Sequence, residues 1–270
     1  MLFVSDLDRT LIYSRRAFWL GPGMDPPPHS LVEVHNGEEI SYIADEALEK
    51  LRQMAEKMAF APVTTRTVEQ YRRISLFQKV VIPQFAIVSN GGNILIDGRP
   101  DEGWAAQIRK KKERHCLCDE ALLAEFAKIR HSSWLLSERQ ADELFYYFIV
   151  DRACLPYADL AEFRTWAAAG NWTVSLQGRK LYLVPSVVNK ADAVQHIKER
   201  LQASFLAAAG DSLLDLCVLD RADYAIAPCH GEIWDRRSEL QPGALKFTRK
   251  PGIFAAGEIL DRVNEIYKSR

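Results

Sequence analysis

The sequence predicts an α/β fold, a doubly wound parallel sheet interrupted by a separately folded α+β insertion. Three observations predict it. Short continuous apolar runs alternate with longer helix-periodic segments, the pattern of a parallel sheet covered on both faces. Several of those runs lead directly into polar or acidic residues, as strands do when a sheet carries its ligands at one edge. Between residues 98 and 186 the pattern changes to a mixture of helix-like segments and strand-like runs that includes a hairpin, the signature of a second folding unit.

The elements follow in order. Leu2-Phe3-Val4-Ser5 is apolar at every position but the last and reads as a buried strand. A hairpin is expected over 31–34 and 40–43, after a rigid Gly/Pro-rich loop over 21–30. Residues 45–58 carry apolar side chains at 47, 48, 51, 54, 55 and 58, one face of a helix, with Asp45 as its N-cap. The runs 60–64 and 85–89 read as the next strands, although Pro62 cannot donate to a ladder. Asn90-Gly91-Gly92 is a turn signal. Within the insertion, helices are expected over 104–112, 119–130 and 158–169, and strands over 145–150, 172–176 and 181–184, the last two joined at Gln177-Gly178. A helical stripe at Ala191, Val194, Ile197 and Leu201 and strands over 204–209 and 224–227 complete a discontinuous core of 1–97 plus 187–270.

Composition narrows the function. The 270 residues are 48% hydrophobic and 26% charged, enough to bury a core. Thirty-five basic residues against 36 acidic ones give a net charge of −1, which removes the electrostatic case for a nucleic-acid binder. The longest apolar run, residues 144–150, is too short to span a membrane. No signal peptide is read at the N-terminus, and five scattered cysteines fit free thiols in a reducing cytoplasm.

Four polar signals stand where strands end or helices begin. They are Asp6-Leu7-Asp8-Arg9-Thr10, Thr64-Thr65-Arg66, Asn189-Lys190 and Gly210-Asp211-Ser212-Leu213-Leu214-Asp215. Singly each is an ordinary turn or cap. Together they describe one site. Asp6, Asp8, Asp211 and Asp215 would converge at one sheet edge, where like charges about 4 Å apart repel by about 4 kcal/mol at an effective dielectric near 20. A cation among them relieves this, and oxygen ligands without His or Cys favour Mg²⁺. Lys190 at a helix start opposes the macrodipole, which makes sense where an anion such as a phosphate is bound.

These motifs, in this order, resemble those of the haloacid dehalogenase (HAD) superfamily of phosphatases. The insertion between the second and third, with Ser89-Asn90-Gly91-Gly92 before it, resembles the Cof-type and sucrose-phosphatase-like branch. The resemblance implies a Rossmann-like core, an α+β cap over 98–186, and a Mg²⁺-dependent phosphomonoesterase acting on a small phosphorylated metabolite such as a sugar phosphate. It implies Asp6 as the nucleophile that becomes an aspartyl-phosphate. Asp8 would be the acid/base, protonated on substrate binding through a pKa raised by its acidic neighbours. Mg²⁺ would sit on the Asp6 carboxylate, the Asp8 backbone carbonyl, Asp211 and Asp215. Thr64, Thr65 and Lys190 would bind phosphate, Arg66 would reach the substrate, and Thr10 would shape the turn. Two positions depart from the branch pattern: Thr65 stands where Gly is usual, and Leu214 where Asn is usual. A phosphomutase of the same superfamily and a non-catalytic phospho-ligand sensor are the competing expectations. The basic run 109–114, His115-Cys116-Leu117-Cys118 and the tryptophans read as solvated helix face, unpaired thiols and packing.

Overall fold

The computed structural model describes every residue except Pro22, Gln241 and Pro242, together with the backbone but not the side chain of Gln177. Pro22, within the expected rigid loop, thus lies outside the described residues. The chain forms two compact units, Met1–Pro100 with Lys190–Arg270, and Asp101–Asn189.

In chain order the first unit holds β1 (Leu2–Ser5), β2 (His29–His35), β3 (Glu38–Ala44), β4 (Ala59–Pro62), β5 (Phe85–Val88), β6 (Asn93–Ile96) and β7 (Arg99–Pro100). The second holds β8 (Leu135–Ala141), β9 (Phe145–Val150), β10 (Trp172–Gln177) and β11 (Lys180–Pro185). The first unit then resumes with β12 (Leu206–Ala209), β13 (Tyr224–Ala227) and β14 (Lys246–Phe247).

The central sheet is parallel throughout, in the order β14-β13-β12-β1-β4. A parallel bridge between Val63 and Ile87 sets β5 beyond β4. The chain therefore runs outward from β1 on one side, then returns to β12 on the other. That reversal between β1 and β12 is a switch point, where the carboxyl ends of open α/β sheets leave a crevice. Alternate strand residues serve two faces. Phe3, Ala207 and Ala209 join a core cluster with Leu51 and Met54 of the helix Asp45–Ala55 and Ile259 and Val263 of the helix Ala255–Lys268. Leu2, Val4, Leu206 and Ala208 are equally buried but lie outside that cluster, as are Ala191, Val194 and Ile197 of the helix Lys190–Arg200.

The early connection forms the antiparallel hairpin β2–β3, turned at Asn36 and Gly37, both with positive φ (52° and 80°). Its ladder is irregular on both sides of Glu33. Asp45 is not the cap of its helix but the first helical residue, following Ala44. Its carboxylate accepts a hydrogen bond from the Ser30 hydroxyl at 2.6 Å instead. The same helix closes at Ala55, three residues short of the periodic pattern.

In the second unit an antiparallel sheet, β10-β11-β9-β8, packs through Phe148, Trp172, Val174 and Leu183 against Leu122 and Phe126 of the helix Asp119–Phe126 and Phe163 of the helix Tyr157–Ala169. The Trp172 indole donates to the Leu117 carbonyl at 2.8 Å. Trp104, Trp134 and Trp172 are buried packing residues, while Trp19 and Trp166 are partly exposed. The basic run lies on the helix Glu102–His115, where Lys112 pairs with Asp119.

Candidate active site

Residues follow β1 and β12 into one buried cluster. Ligand oxygens of Asp6, Asp211 and Asp215 all lie within 4.8 Å of one another, and this is the only such group of potential metal ligands among the described residues. Asp6 leaves β1 with its N–H still bonded to the Ala209 carbonyl of β12 at 2.9 Å, so the sheet ladder itself fixes the residue. Asp211 follows β12 after Gly210. A Cβ at Gly210 would lie 2.5 Å from Asp215, so a glycine is what lets the Asp215 side chain fold back against the backbone.

Lys190 joins the acids. It is 1% exposed and donates to Asp6 Oδ1 at 2.8 Å and to Asp215 Oδ1 at 2.6 Å. Asp215 Oδ2 accepts from the Ser212 N–H at 2.9 Å and its hydroxyl at 2.7 Å. Ser212 thereby steadies Asp215 beside Leu214, which has no polar group to offer. The Asp211 carboxylate makes a longer contact, 3.5 Å from Arg9 Nε. Thr10, fully buried, donates to Asp6 Oδ2 at 3.5 Å.

Cationic charge is short in this cluster. Burial, reinforced by Asp215 and opposed by Lys190, pushes the Asp6 carboxyl up to about 7. Burial and the neighbouring Asp6 also hold Asp211 well above the usual carboxylate range, against the pull of Arg9. Three buried acids with one close lysine are the environment a hard divalent cation completes, and an all-oxygen donor set suits Mg²⁺. The residues fit the ion.

Thr64 and Thr65 stand just beyond β4, next to β1 in the sheet. Thr64 is buried, its N–H bonded to the Ile87 carbonyl at 2.9 Å and its hydroxyl accepting from the Arg66 N–H at 3.2 Å. Thr65 is half-buried.

Asp8 stands apart from the other acids. Its side chain is 49% exposed and is gripped by Arg66, whose Nε and Nη2 donate to the two carboxylate oxygens at 2.8 Å each. The Asp8 carboxylate is thus held in a bidentate pair by the Arg66 guanidinium, a charge-assisted arrangement that fixes its orientation. Arg66 also donates from Nη1 to Glu33 at 2.7 Å and from Nη2 to Ser41 at 3.2 Å. Sequence reasoning missed Glu33, Ser41, Ser212 and Arg9. Only Ser212 and Arg9 carried a signal, as the variable positions of motifs already singled out.

No curated protein matches at the level of sequence. The family model for sucrose-6F-phosphate phosphohydrolase matches residues 1–227. A sucrose-phosphatase from Synechocystis, solved with sucrose and phosphate, shares 17% identity over 98% of this chain and 97% of its own, with a TM-score of 0.68. A HAD-like hydrolase from Bacillus subtilis shares 12% identity over 97% and 91%, TM-score 0.55. A sugar phosphatase of HAD subclass IIB shares 11% over 98% of each chain, TM-score 0.57. The fold and the matched family agree, and the chain belongs to the sucrose-6F-phosphate phosphohydrolase family, phosphatases of the HAD superfamily.

Proposed function

We propose that this phosphatase hydrolyses the phosphate monoester of a small sugar by way of an aspartyl-phosphate on Asp6. One observation carries the reading: a buried carboxylate at the end of β1 is held by a buried lysine, within 4.8 Å of two further acids following β12. A carboxylate is a suitable nucleophile for phosphorus because the mixed anhydride it forms is easily hydrolysed.

Lys190, freed from Asp6 as that oxygen bonds to phosphorus, would turn its charge to the phosphoryl oxygens. The Thr64 and Thr65 hydroxyls would donate to the same oxygens. Asp8 would protonate the departing sugar oxygen and then take a proton from the attacking water. Asp6, Asp211, Asp215 and the Asp8 carbonyl would hold Mg²⁺, which when bound neutralises negative charge on the transferring group. The insertion, expected over 98–186 and compact over Asp101–Asn189, would act as the cap that selects the sugar. A disaccharide phosphate such as sucrose 6-phosphate is the first candidate, after the relative solved with sucrose and phosphate. Five unpaired thiols suit a cytoplasmic enzyme.

The test is phosphate release across a panel of sugar phosphates, with and without Mg²⁺ and without any bisphosphate activator, which a phosphomutase would need. The substitution Asp6→Asn is expected to cut turnover by more than about 10³-fold. Its thermal midpoint should hold or rise, because the anion at this position is disfavoured by burial. Turnover at the wild-type rate in that variant would end the reading.

A further inference from the structure

Glu33 is a carboxylate with no exposed side-chain surface, and the phosphatase chemistry as set out does not use it. It lies on the hairpin β2–β3, at the irregularity in the ladder that interrupts strand alternation and so allows Val32 and Glu33 both to be buried. Its Oε2 accepts from Arg66 Nη1 at 2.7 Å and from the Ser41 hydroxyl at 2.8 Å, and its Oε1 accepts from Arg73 Nε at 3.3 Å. Arg66 in turn holds both oxygens of Asp8. Four of the five guanidinium N–H groups of Arg66 are thus spent within the chain, two on Asp8, one on Glu33 and one on Ser41.

We propose that Glu33 is a positioning residue which acts through Arg66 to fix the carboxyl of Asp8, so that the hairpin β2–β3 sets the geometry of the proton donor. The inference rests on Asp8 being that donor, as set out above. A guanidinium tied to Asp8 alone could swing with that half-exposed side chain. Glu33, fully buried, anchors the guanidinium from its other side, and Ser41 ties the two strands of the hairpin to the same group. Arg66 is then occupied in orienting Asp8, and the substrate meets the carboxyl rather than the guanidinium.

A positioned proton donor matters in proportion to how badly the leaving group needs a proton. A sugar alkoxide needs one, while p-nitrophenolate leaves without it. The test compares kcat/KM of wild type, Glu33→Gln and Ser41→Ala on p-nitrophenyl phosphate and on the best sugar phosphate from the panel, with thermal midpoints measured in parallel. For Glu33→Gln the expected loss on the sugar phosphate is about 10- to 100-fold, carried by kcat, against less than about 3-fold on p-nitrophenyl phosphate. Ser41→Ala, a milder change that keeps the proposal testable if the first variant does not fold, should show the same split at a smaller size. Glu33→Asp should recover part of the loss. Equal losses on both esters would make Glu33 merely structural and overturn the inference while leaving the phosphatase reading intact, as would no loss on either. A wild type inactive on both esters would remove the phosphatase reading and this inference with it.

Discussion

Replacing Lys190 by methionine separates the structural demand of the acid cluster from its chemistry. The ammonium lies 2.8 Å from Asp6 and 2.6 Å from Asp215, at 1% exposure. At an effective dielectric near 20 each contact is worth about 6 kcal/mol of Coulomb attraction, most of it cancelled by the desolvation of the partners. Removing the lysine from such a buried arrangement costs about 3–5 kcal/mol, since the acids are left without their cation. For the first unit that corresponds to a fall in thermal midpoint of roughly 6–20 °C. Mg²⁺ should restore part of it: an ion at a hundred times its dissociation constant contributes about 2.7 kcal/mol. The midpoint of Lys190→Met should therefore rise more on adding Mg²⁺ than that of wild type, because the variant site is more negative. Turnover should fall by at least about 10²-fold even with the ion present, for want of a cation on the phosphoryl oxygens. Calorimetry with and without Mg²⁺, beside a phosphate-release assay, reads all three quantities. A variant as stable as wild type in the absence of metal, or one whose midpoint ignores Mg²⁺, would refute the account of a cation-poor acid cluster.

Two further outcomes follow from His230, beyond β13, and Gly252, beyond β14. His230 is 7% exposed, and burial pushes it down to about 4 from an ordinary 6.5. Its Nδ1 accepts from the Gly252 N–H at 2.9 Å while its Nε2–H donates to the Arg9 carbonyl at 2.7 Å, an arrangement only the neutral ring can make. The unfolded chain binds this proton first as pH falls. Stability should therefore drop by about 3 kcal/mol between pH 6.5 and 4 relative to a His230→Gln variant, with no difference in slope above 6.5. Urea titrations across that range would show it. Gly252 has a φ of +61°, and a Cβ there would stand 1.8 Å from the Phe18 carbonyl oxygen, so Gly252→Ala should cost at least about 3 kcal/mol in the same titration.

Much of the core was legible because parallel strands buried on both faces are written as unbroken apolar runs, as in Leu2-Phe3-Val4-Ser5, while Leu206-Ala207-Ala208-Ala209, built of helix formers, is marked as a strand by its shortness and by the glycine that ends it. Pro62 did not break its strand because it is the last residue of β4, where the ladder passes to the Val63 N–H bonded to Ser5. Elements decided by distant partners were harder to see. Strand β8 is half polar and exposed, Leu-Leu-Ser-Glu-Arg-Gln-Ala, as edge strands tend to be, so periodicity passes it over. Asp45 has the look of a cap, but its bond goes to Ser30, fifteen residues earlier on the hairpin.

The site divides along the same line. Asp6, Asp211, Asp215 and Lys190 could be placed together from sequence because each directly follows a strand or opens a helix of one sheet, so topology alone brings them to one edge. Asp8 shares their motif but not their surroundings. A motif specifies where a backbone leaves a strand, not where the side chain two residues later finds its charge. That charge is Arg66, and Arg66 is aimed by Glu33, which lies in a hairpin with no motif of its own. Its burial depends on an irregular ladder, and such an irregularity exists only between two paired strands. A single strand read from sequence would alternate through Val32, Glu33 and Val34 and leave the carboxylate in solvent. The acid cluster is therefore a property of the sheet, whereas the setting of the Asp8 carboxylate is a property of the hairpin β2–β3. Changes in that hairpin should alter discrimination between leaving groups while leaving the Mg²⁺ response of the acid cluster intact.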